Sequence, residues 1–393
     1  MTEVAHGSSM KEAIQRFSDH ISTEDTRRFL LLIFVVFGLK VLVAWAVYGL
    51  ATQGGKVFAT FWMKEWGIQH NGGWPLLFHG WDSAWYIRIA KTGYSYPAYA
   101  FLPAYPFMIQ IANLLIGEWL LSSFIVSFAL GILAVPMFQL LAENYMNRDQ
   151  AAVMTLLFFL FPPVFLFTSI AYTESLFTVA VLGAWLFCLR KRWLISTAFA
   201  VIASLTKLYG LLIALPLAMR LLRERRRKLA FLTLFIPSII FTGWNYYLFE
   251  LSGDWVAYWS SQNHWREGWP FGITSILRSV IELGWSMSES SFISLMGAVI
   301  IILWLIMIAL IAIPIVGSIG TDRDFGLYGM LLFLFIVSFG SVWSFARFLP
   351  FILPAWLTVR TRNRFVITAV IVSFPVISLV LWYQFVVLGA WVG

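Results

Sequence analysis

Among the ionisable residues in aromatic or apolar stretches of the chain, we single out Asp82, Glu174, Lys207 and Arg347. Taking a charge out of water is costly, so charged residues in such stretches are candidates for function. A carboxylate can act as a general base on a hydroxyl group, and cations can bind phosphate. These residue types together suit a lipid-linked anionic donor and a transfer reaction at the membrane surface.

Asp82 lies in the aromatic sequence Trp81-Asp82-Ser83-Ala84-Trp85-Tyr86. In a partly dry, interfacial setting its carboxylate can take the proton of an attacking hydroxyl group. The alternative is a helix N-cap, because Asp or Ser ahead of a run such as Trp85-Tyr86-Ile87 commonly caps a helix. The two interpretations do not exclude each other.

Glu174 and Lys207 each have a structural and a functional interpretation. Glu174 heads an apolar run, where a carboxylate favours the helix N-terminus; its functional roles would be a ligand of a sugar hydroxyl or the partner of a cation. Lys207 is too central in its run to reach water easily, so we expect an internal carboxylate or an anionic substrate group as its partner.

Two late features complete the candidates. Arg347 can recognise phosphate through its planar fork or anchor a helix end at the membrane interface. The stretch Gln262-Asn263-His264-Trp265-Arg266 offers hydrogen-bonding groups and a stacking face for a sugar ring, or it is a polar surface loop.

Other kinds of chemistry lack a signal in the sequence. The spacing of His6, His20, His70 and His79 fits no metal site, and Cys188 is the single cysteine. Neither a Gly-rich phosphate loop nor a hydrolase motif is present. We therefore expect no metal and no cofactor.

The composition indicates a membrane protein. The 393 residues are 60% hydrophobic, 18% aromatic and 12% charged, whereas about a quarter of a soluble domain is charged. A soluble globular enzyme and a disordered chain are both excluded. The net charge of +8 is concentrated in short loops, as the positive-inside rule produces, so we expect no nucleic-acid partner.

The chain is predicted to be an all-α polytopic membrane protein. The basic residues before the first apolar run place segment 1–28 in the cytoplasm, and 29–393 forms a single transmembrane domain of about 9–11 helices. The continuous spans are predicted over 29–50, 119–141, 151–171, 174–190, 229–250, 293–316, 326–343, 345–359 and 366–390.

Three segments do not read as ordinary spans. Segments 51–118 and 251–290 are rich in Trp, which indicates that both lie outside the membrane on its external side. The first is predicted to contain helices that lie on the membrane surface. Within the first, 101–117 is apolar, but Pro103, Pro106 and the charge distribution favour an interfacial helix over a span. Segment 193–219 is too short to cross twice, so we expect two short helices that meet near Lys207-Leu208-Tyr209-Gly210.

At these residues the chain resembles the PIG-V-type (GPI mannosyltransferase 2-like) branch of the GT-C glycosyltransferases. The resemblance covers roughly residues 80–385, and its motifs are Trp81–Tyr86 with Ile89-Ala90 and Gly93-Tyr94, Phe101–Pro106, Phe161–Pro163, Tyr172–Phe177, Leu205–Lys207 with Gly210, the surroundings of Gln262 and Trp265, and Arg347-Phe348. The specific motifs are the three that begin at Trp81, Phe101 and Tyr172.

The resemblance implies a GT-C-like bundle and an inverting transfer that needs no metal, from a polyprenyl-phosphate (dolichyl-phosphate) donor, typically of mannose, to a lipid or glycan acceptor. Asp82 would be the catalytic base, and Lys207 and Arg347 would bind the donor phosphate. The sugars and the acceptor would contact the remaining candidates, which are Trp81, Ser83, Tyr86, Tyr172, Glu174, Gln262, His264 and Trp265.

Two positions depart from the family pattern. Lys207 stands where Arg is common, and Arg347 is followed by Phe348 rather than Tyr. The expected location is a prokaryotic cell membrane with an external active site, or the endoplasmic reticulum if the source is eukaryotic. The acceptor and the identity of the hexose stay open.

Two other classes of protein fit parts of the pattern. A transporter or flippase of a lipid-linked sugar would also need broken helices and intramembrane cations, but it would be expected to show an internal repeat, and none is found. A non-catalytic membrane scaffold would tolerate Asp82→Asn and Lys207→Ala with little loss.

Overall fold

The computed structural model describes residues 23–54, 73–266, 312–339, 344–359 and 363–389. Every regular element within these ranges is a helix. The prediction of an all-α protein is therefore confirmed for the part of the chain that the structure describes. Residues 267–290 of the segment predicted to be external and most of the predicted span 293–316 lie outside the described residues.

The α-helices are α1 (Thr23–Gly54), α2 (Asp82–Thr92), α3 (Ala104–Ile116), α4 (Trp119–Ala142), α5 (Arg148–Leu160), α6 (Pro162–Phe167), α7 (Glu174–Leu189), α8 (Trp193–Thr206), α9 (Ala214–Arg223), α10 (Arg227–Ser252), α11 (Ala257–Arg266), α12 (Ala312–Thr321), α13 (Arg323–Phe339), α14 (Phe345–Phe348), α15 (Leu353–Trp356) and α16 (Arg364–Trp382). Short 3₁₀ helices cover Trp74–Phe78, Ala98–Ala100, Leu208–Ile213 and Leu349–Phe351.

Four helices in the described ranges are long and apolar enough to cross a membrane. They cover Arg27–Ala51, Trp119–Ala142, Arg227–Ser252 and Arg364–Val387, which agree with the predicted spans 29–50, 119–141, 229–250 and 366–390. A length of 24 to 26 residues corresponds to more than the roughly 30 Å of the hydrocarbon core. The chain is thus a membrane protein, and the total of about 9–11 spans stays a prediction.

Two predicted continuous spans are wrong. Segment 151–171 is divided at Phe161 between α5 and α6, because Pro162 and Pro163 start a new helix. Segment 345–359 is divided into α14, a 3₁₀ turn and α15, and Pro350 and Pro354 are the second residues of the two later elements. Hydropathy does not register these breaks, since proline interrupts a helix without making a run polar.

The predicted break within 193–219 is confirmed. Helix α8 ends at Thr206, Lys207 adopts an extended conformation with φ −145° and ψ 138°, and the 3₁₀ helix begins at Leu208. The N–H of Gly210 donates to the carbonyl of Lys207 at 2.8 Å. A side chain at Gly210 would overlap the backbone of Ala203, so glycine is required for this close return of the chain.

Helix α3 is 13 residues long, or about 20 Å, which is shorter than the hydrocarbon core of a membrane. Tyr105 and Ile109 are buried on one face, while Leu114 and Leu115 are 84% and 89% exposed. This length and one-sided burial agree with the interfacial helix predicted over 101–117.

Helix α7 forms the centre of the bundle. It packs against α4 on one side and α8 on the other, and nearly all of its side chains are buried. Its first residue, Glu174, is therefore held deep in the protein rather than at a surface. The site described next is assembled around this helix start.

Candidate active site

Asp82 is the first residue of α2, and the chain reaches it through a sharp turn. Trp81 has φ 45° and ψ −112°, a backbone conformation that is costly for a bulky residue. Ser83 Oγ accepts the N–H of Gly80 at 3.2 Å and closes the same turn. The helix starts without a side-chain cap, so the N-cap interpretation of Asp82 is wrong.

The Asp82 carboxylate instead pairs with an arginine from the other end of the sequence. Arg347 Nη1 lies 2.7 Å from Asp82 Oδ2, and Arg347 Nε lies 2.5 Å from Glu174 Oε1. The guanidinium group thus bridges two carboxylates that are 92 residues apart in the sequence. The planar fork of arginine suits this bridge, because its donors point in different fixed directions.

Lys207 completes the arrangement. Its Nζ lies 3.0 Å from Glu174 Oε1, the oxygen that Arg347 also contacts. The four side chains form an alternating series of charges, Asp82–Arg347–Glu174–Lys207, which we call the ionic chain. Its formal charges sum to zero. Glu174 is therefore the partner of two cations, and Lys207 has the internal carboxylate that its position predicted.

Aromatic rings enclose the two cations. The Arg347 guanidinium lies 4.5 Å from the centre of the Tyr172 ring, and Lys207 Nζ lies 4.9 Å from the centre of the Phe348 ring. Both distances are within the range of cation–π attraction. Phe348 thus contributes through its ring, at the position where the family pattern often has tyrosine.

Tyr172 also touches the backbone of the candidate base. Its hydroxyl oxygen accepts the N–H of Asp82 at 3.1 Å, while its own N–H donates to Ser127 Oγ at 3.2 Å. The tyrosine therefore connects the start of α2 to the segment before α7. This contact fixes the position of Asp82 relative to Glu174.

Asp82 is the accessible end of the ionic chain. Its side chain is 23% exposed, compared with 5% for Arg347, 1% for Glu174 and 9% for Lys207. Arg347 contacts the Oδ2 atom, and within the described residues Oδ1 accepts no hydrogen bond. An incoming hydroxyl group can therefore reach the carboxylate from the solvent side, while the buried members of the chain hold it in place.

The other predicted sugar-contacting residues occupy different positions. Ser83 and Tyr86 are buried, and the Tyr86 ring packs edge-to-face on Tyr105 and Tyr172. In this conformation these two side chains support the turn and the ring cluster from within. Trp81 is partly buried and packs against the main core.

The segment around Gln262 lies on helix α11. Gln262 Nε2 donates to the carbonyl of Ala100 at 3.0 Å, and the ring of His264 lies 5.8 Å from that of Tyr96. Both contacts are made to the loop that follows α2, which brings α11 alongside this part of segment 51–118. The side chain of Trp265 lies outside the described residues.

His79, three residues before Asp82, is part of the support of the site. Its Nδ1 lies 2.7 Å from the carbonyl oxygen of Pro75 and its Nε2 lies 2.7 Å from Ser123 Oγ. Burial lowers the pKa of His79 from 6.5 to about 4, so the imidazole is neutral near pH 7. The sequence signal for this residue was its proximity to Asp82.

Lys40 is a further buried cation that the motifs do not include. It lies in the first span and is 1% exposed, and its Nζ donates to Thr168 Oγ1 at 2.6 Å. A charged residue in the middle of an otherwise apolar span is the sequence signal that identifies it.

Metal ligands are not clustered in the part of the chain that the structure describes. There, no group of three or more His, Cys, Asp or Glu side chains could hold a metal ion. The ionic chain contains two carboxylates, and each is already engaged by a cation.

Part of the chain matches the model of a known protein family. Residues 74–233 match the family model described as Mannosyltransferase (PIG-V). The matched segment contains Asp82, Glu174 and Lys207, and it ends before Arg347. No curated protein and no solved structure matches the chain.

Proposed function

We propose that this chain transfers mannose from a polyprenyl-phosphate donor to a lipid or glycan acceptor at the outer face of its membrane. Its residues 74–233 belong to the PIG-V-type mannosyltransferase family. The family match supports a mannosyl-transferring glycosyltransferase, and the four long apolar helices support an integral membrane protein. The donor, the acceptor and the mechanism are what the proposal adds.

Asp82 is the proposed general base. Its carboxylate takes the proton of the acceptor hydroxyl as that oxygen attacks the anomeric carbon of the sugar. The bond from the anomeric carbon to the phosphate oxygen breaks in the same step, and its electron pair leaves with the polyprenyl phosphate. One direct displacement inverts the configuration at the anomeric carbon.

Lys207 and Arg347 are proposed to stabilise the departing phosphate. A phosphodiester donor carries one negative charge, and the phosphate that leaves gains a second, so positive side chains stabilise the transition state more than the ground state. Lys207 is separated from Asp82 along the ionic chain by Arg347 and Glu174. Lys207 can therefore meet the leaving phosphate on the side of the sugar away from Asp82, while Arg347 contacts Asp82 directly.

The observation that carries the proposal is the 2.7 Å contact between Arg347 Nη1 and Asp82 Oδ2. It brings the candidate base and a candidate phosphate-binding cation together from positions 265 residues apart. Only the Asp82 end of the ionic chain is substantially exposed, as a base that must meet an acceptor requires. Gln262 and His264 border the same external segment and are proposed to contact the sugars.

The experiment compares the purified chain with Asp82→Asn. Each protein is given radiolabelled polyprenyl-phosphate mannose and a membrane lipid or glycan extract, with and without EDTA. Loss of a general base is expected to reduce transfer by roughly 10²- to 10⁴-fold, with no effect of EDTA on the native chain. Asp149→Asn is the matched control, because its side chain is 90% exposed.

Equal transfer by Asp82→Asn and the native chain would remove Asp82 as the base. Loss of label transfer on addition of EDTA would exclude the metal-independent mechanism. A native chain that binds the donor and moves it across vesicles without transferring mannose would support the flippase alternative, and in that case Asp82→Asn is expected to retain the movement.

A further inference from the structure

Lys40 lies where a charge is costly. It is near the middle of the membrane-spanning stretch Arg27–Ala51 and is 1% exposed. An ionisable residue at such a depth is retained in general because it has a partner inside the protein and a role there. The ionic chain does not include Lys40.

The cavity beside Lys40 offers it no anion. This cavity has a volume of about 400 Å³, and its other lining side chains are apolar or aromatic. Within the described residues Lys40 forms no ion pair with a carboxylate. Its ammonium group lies 4.8 Å from the ring centre of Phe37 and 5.5 Å from that of Phe165.

The hydrogen-bond partner of Lys40 is Thr168. Lys40 Nζ donates to Thr168 Oγ1 at 2.6 Å, and the hydroxyl group of Thr168 donates in turn to the carbonyl of Val164 at 2.6 Å. Because the single hydroxyl proton is used in the second bond, Oγ1 must accept from Lys40. The direction of the contact is therefore fixed by the donor and acceptor inventory.

Thr168 is the first residue after α6 and starts the turn 168–173, which leads into α7. Its carbonyl accepts from Ser175 Oγ at 3.3 Å. The turn carries Tyr172, which accepts the N–H of Asp82, and it is followed at once by Glu174, which holds both cations. One short segment thus supports the base and the two cations.

We infer that Lys40 is a positioning residue for the transfer reaction: its hydrogen bond to Thr168 fixes the turn 168–173, through which Tyr172 and Glu174 hold Asp82 and Arg347 in register. The inference rests on the proposed function for its kinetic test. Lys40 touches neither substrate nor the reacting atoms in this role. It acts on the geometry of the site from the first span.

The test uses Lys40→Met, which keeps an unbranched stem and removes the amine, and Thr168→Val, which removes the acceptor at similar volume. Val41→Met is the matched control, because Val41 is the next residue on the same span and is 45% exposed. Steady-state transfer with radiolabelled polyprenyl-phosphate mannose gives kcat and KM for each variant. Hydrogen exchange of the peptide that covers 168–175 is measured in parallel.

Displacement of reacting groups lowers the rate of the chemical step, so kcat is expected to fall roughly ten- to a hundredfold in Lys40→Met and Thr168→Val, while KM for the donor stays within about twofold. The double variant should lose no more than either single one, because both remove the same contact. Lys40→Arg, which keeps a donor, should recover part of the activity. Exchange in 168–175 should quicken in both single variants and stay unchanged in Val41→Met.

Unchanged kcat in Lys40→Met would overturn the inference, as would losses that add in the double variant. If Lys40→Met fails to fold, Thr168→Val alone decides between the same outcomes. If the native chain transfers no mannose, the proposed function fails, whereas the exchange measurement still tests whether Lys40 fixes the turn. Unchanged exchange in both variants would then refute the positioning role.

Discussion

Glu174→Gln is the substitution for which the structure makes the sharpest prediction. The change keeps the size of the side chain and removes its charge. Glu174 is 1% exposed and contacts both Arg347 and Lys207 through Oε1. The ionic chain then carries one positive charge in excess, and Lys207, which is 9% exposed, has lost its carboxylate.

The magnitude follows from the geometry. At 3.0 Å and an effective dielectric constant of about 20, the attraction between two unit charges is about 5–6 kcal/mol. Measured losses on removing one partner of a buried pair are about 3–5 kcal/mol, since the remaining charge stays buried. We therefore expect Glu174→Gln to lower the free energy of unfolding by about 3–5 kcal/mol.

A second substitution separates this explanation from simple loss of packing. When Lys207→Met is added to Glu174→Gln, the charges of the ionic chain again sum to zero, and Asp82 and Arg347 are still paired. The loss of stability in the double variant should be smaller than the sum of the losses in the two single variants, and the difference, which is the coupling energy, should be about 1–3 kcal/mol. Unfolding in detergent micelles, followed by far-ultraviolet circular dichroism, measures all three variants.

Glu224→Gln is the control, because Glu224 is exposed at the end of α9 and its change should alter stability by less than about 0.5 kcal/mol. Additivity of the two single effects within about 0.5 kcal/mol would refute the reasoning. In that case Glu174 and Lys207 would not interact in the folded protein as the 3.0 Å contact indicates.

Three further predictions concern the stability of the folded protein. The pKa of His79 is lowered from 6.5 to about 4 by burial, so the contribution of neutral His79 to the free energy of unfolding is complete above pH 6.5 and falls by about 3 kcal/mol as the pH drops to about 4. Unfolding measured across this pH range should show the decline, and His79→Gln should flatten it. Asp322 Oδ1 accepts two backbone N–H groups at the start of α13, and Asp322 Oδ2 contacts Arg220 at 3.0 Å and the Tyr145 hydroxyl at 2.9 Å. Asp322→Ala should therefore cost more than the roughly 1–2 kcal/mol of a lost cap in a thermal unfolding assay, whereas Asp322→Asn, which keeps the cap acceptor and loses the charge, should cost less. Gly210→Ala would force a methyl group onto the carbonyl of Ala203 and should destabilise the protein by about 1–3 kcal/mol. At Gly243 an added methyl group meets nothing within 4 Å, so Gly243→Ala should be neutral or slightly stabilising. Equal effects of the two substitutions would contradict the close return of the chain at Gly210.

The neutral charge of the ionic chain bears on how a donor can bind. Lys207 and Arg347 are already paired with Glu174 and Asp82, so a phosphate must share or displace these contacts. Arg347 stands between the two carboxylates and contacts both of them. In the proposed reaction, donor binding and the state of Asp82 are therefore coupled through the guanidinium group of Arg347.

The family resemblance and the ionic chain select an overlapping set of residues. Asp82, Glu174, Lys207 and Arg347 were chosen from the sequence because charge in an apolar stretch is costly. The structure joins all four, and Glu174 contacts both cations, as expected in one of the two functional roles that the sequence left open for it. Ser83 and Tyr86 lie in the same motif as Asp82, yet both are buried.

The sequence alone determined the class of protein, the position of its long apolar helices and the residues at which a charge had to be explained. These features depend on local composition and on the cost of taking a charge out of water, which does not depend on where in the sequence the residue lies. They can therefore be predicted from a short window of sequence. The break at Lys207 was also local, because a segment of 27 residues between basic clusters cannot cross a membrane twice.

Only the tertiary structure decided which charges meet. Asp82 and Arg347 are separated by 265 residues and Lys40 and Thr168 by 128, and neither periodicity nor hydropathy specifies contacts over such distances. The division of 345–359 was missed for a related reason. Pro350 and Pro354 leave the segment apolar as a whole, yet they break it into short helices. Arg347, in the first of these short helices, is 4% exposed and contacts the carboxylates of both Asp82 and Glu174.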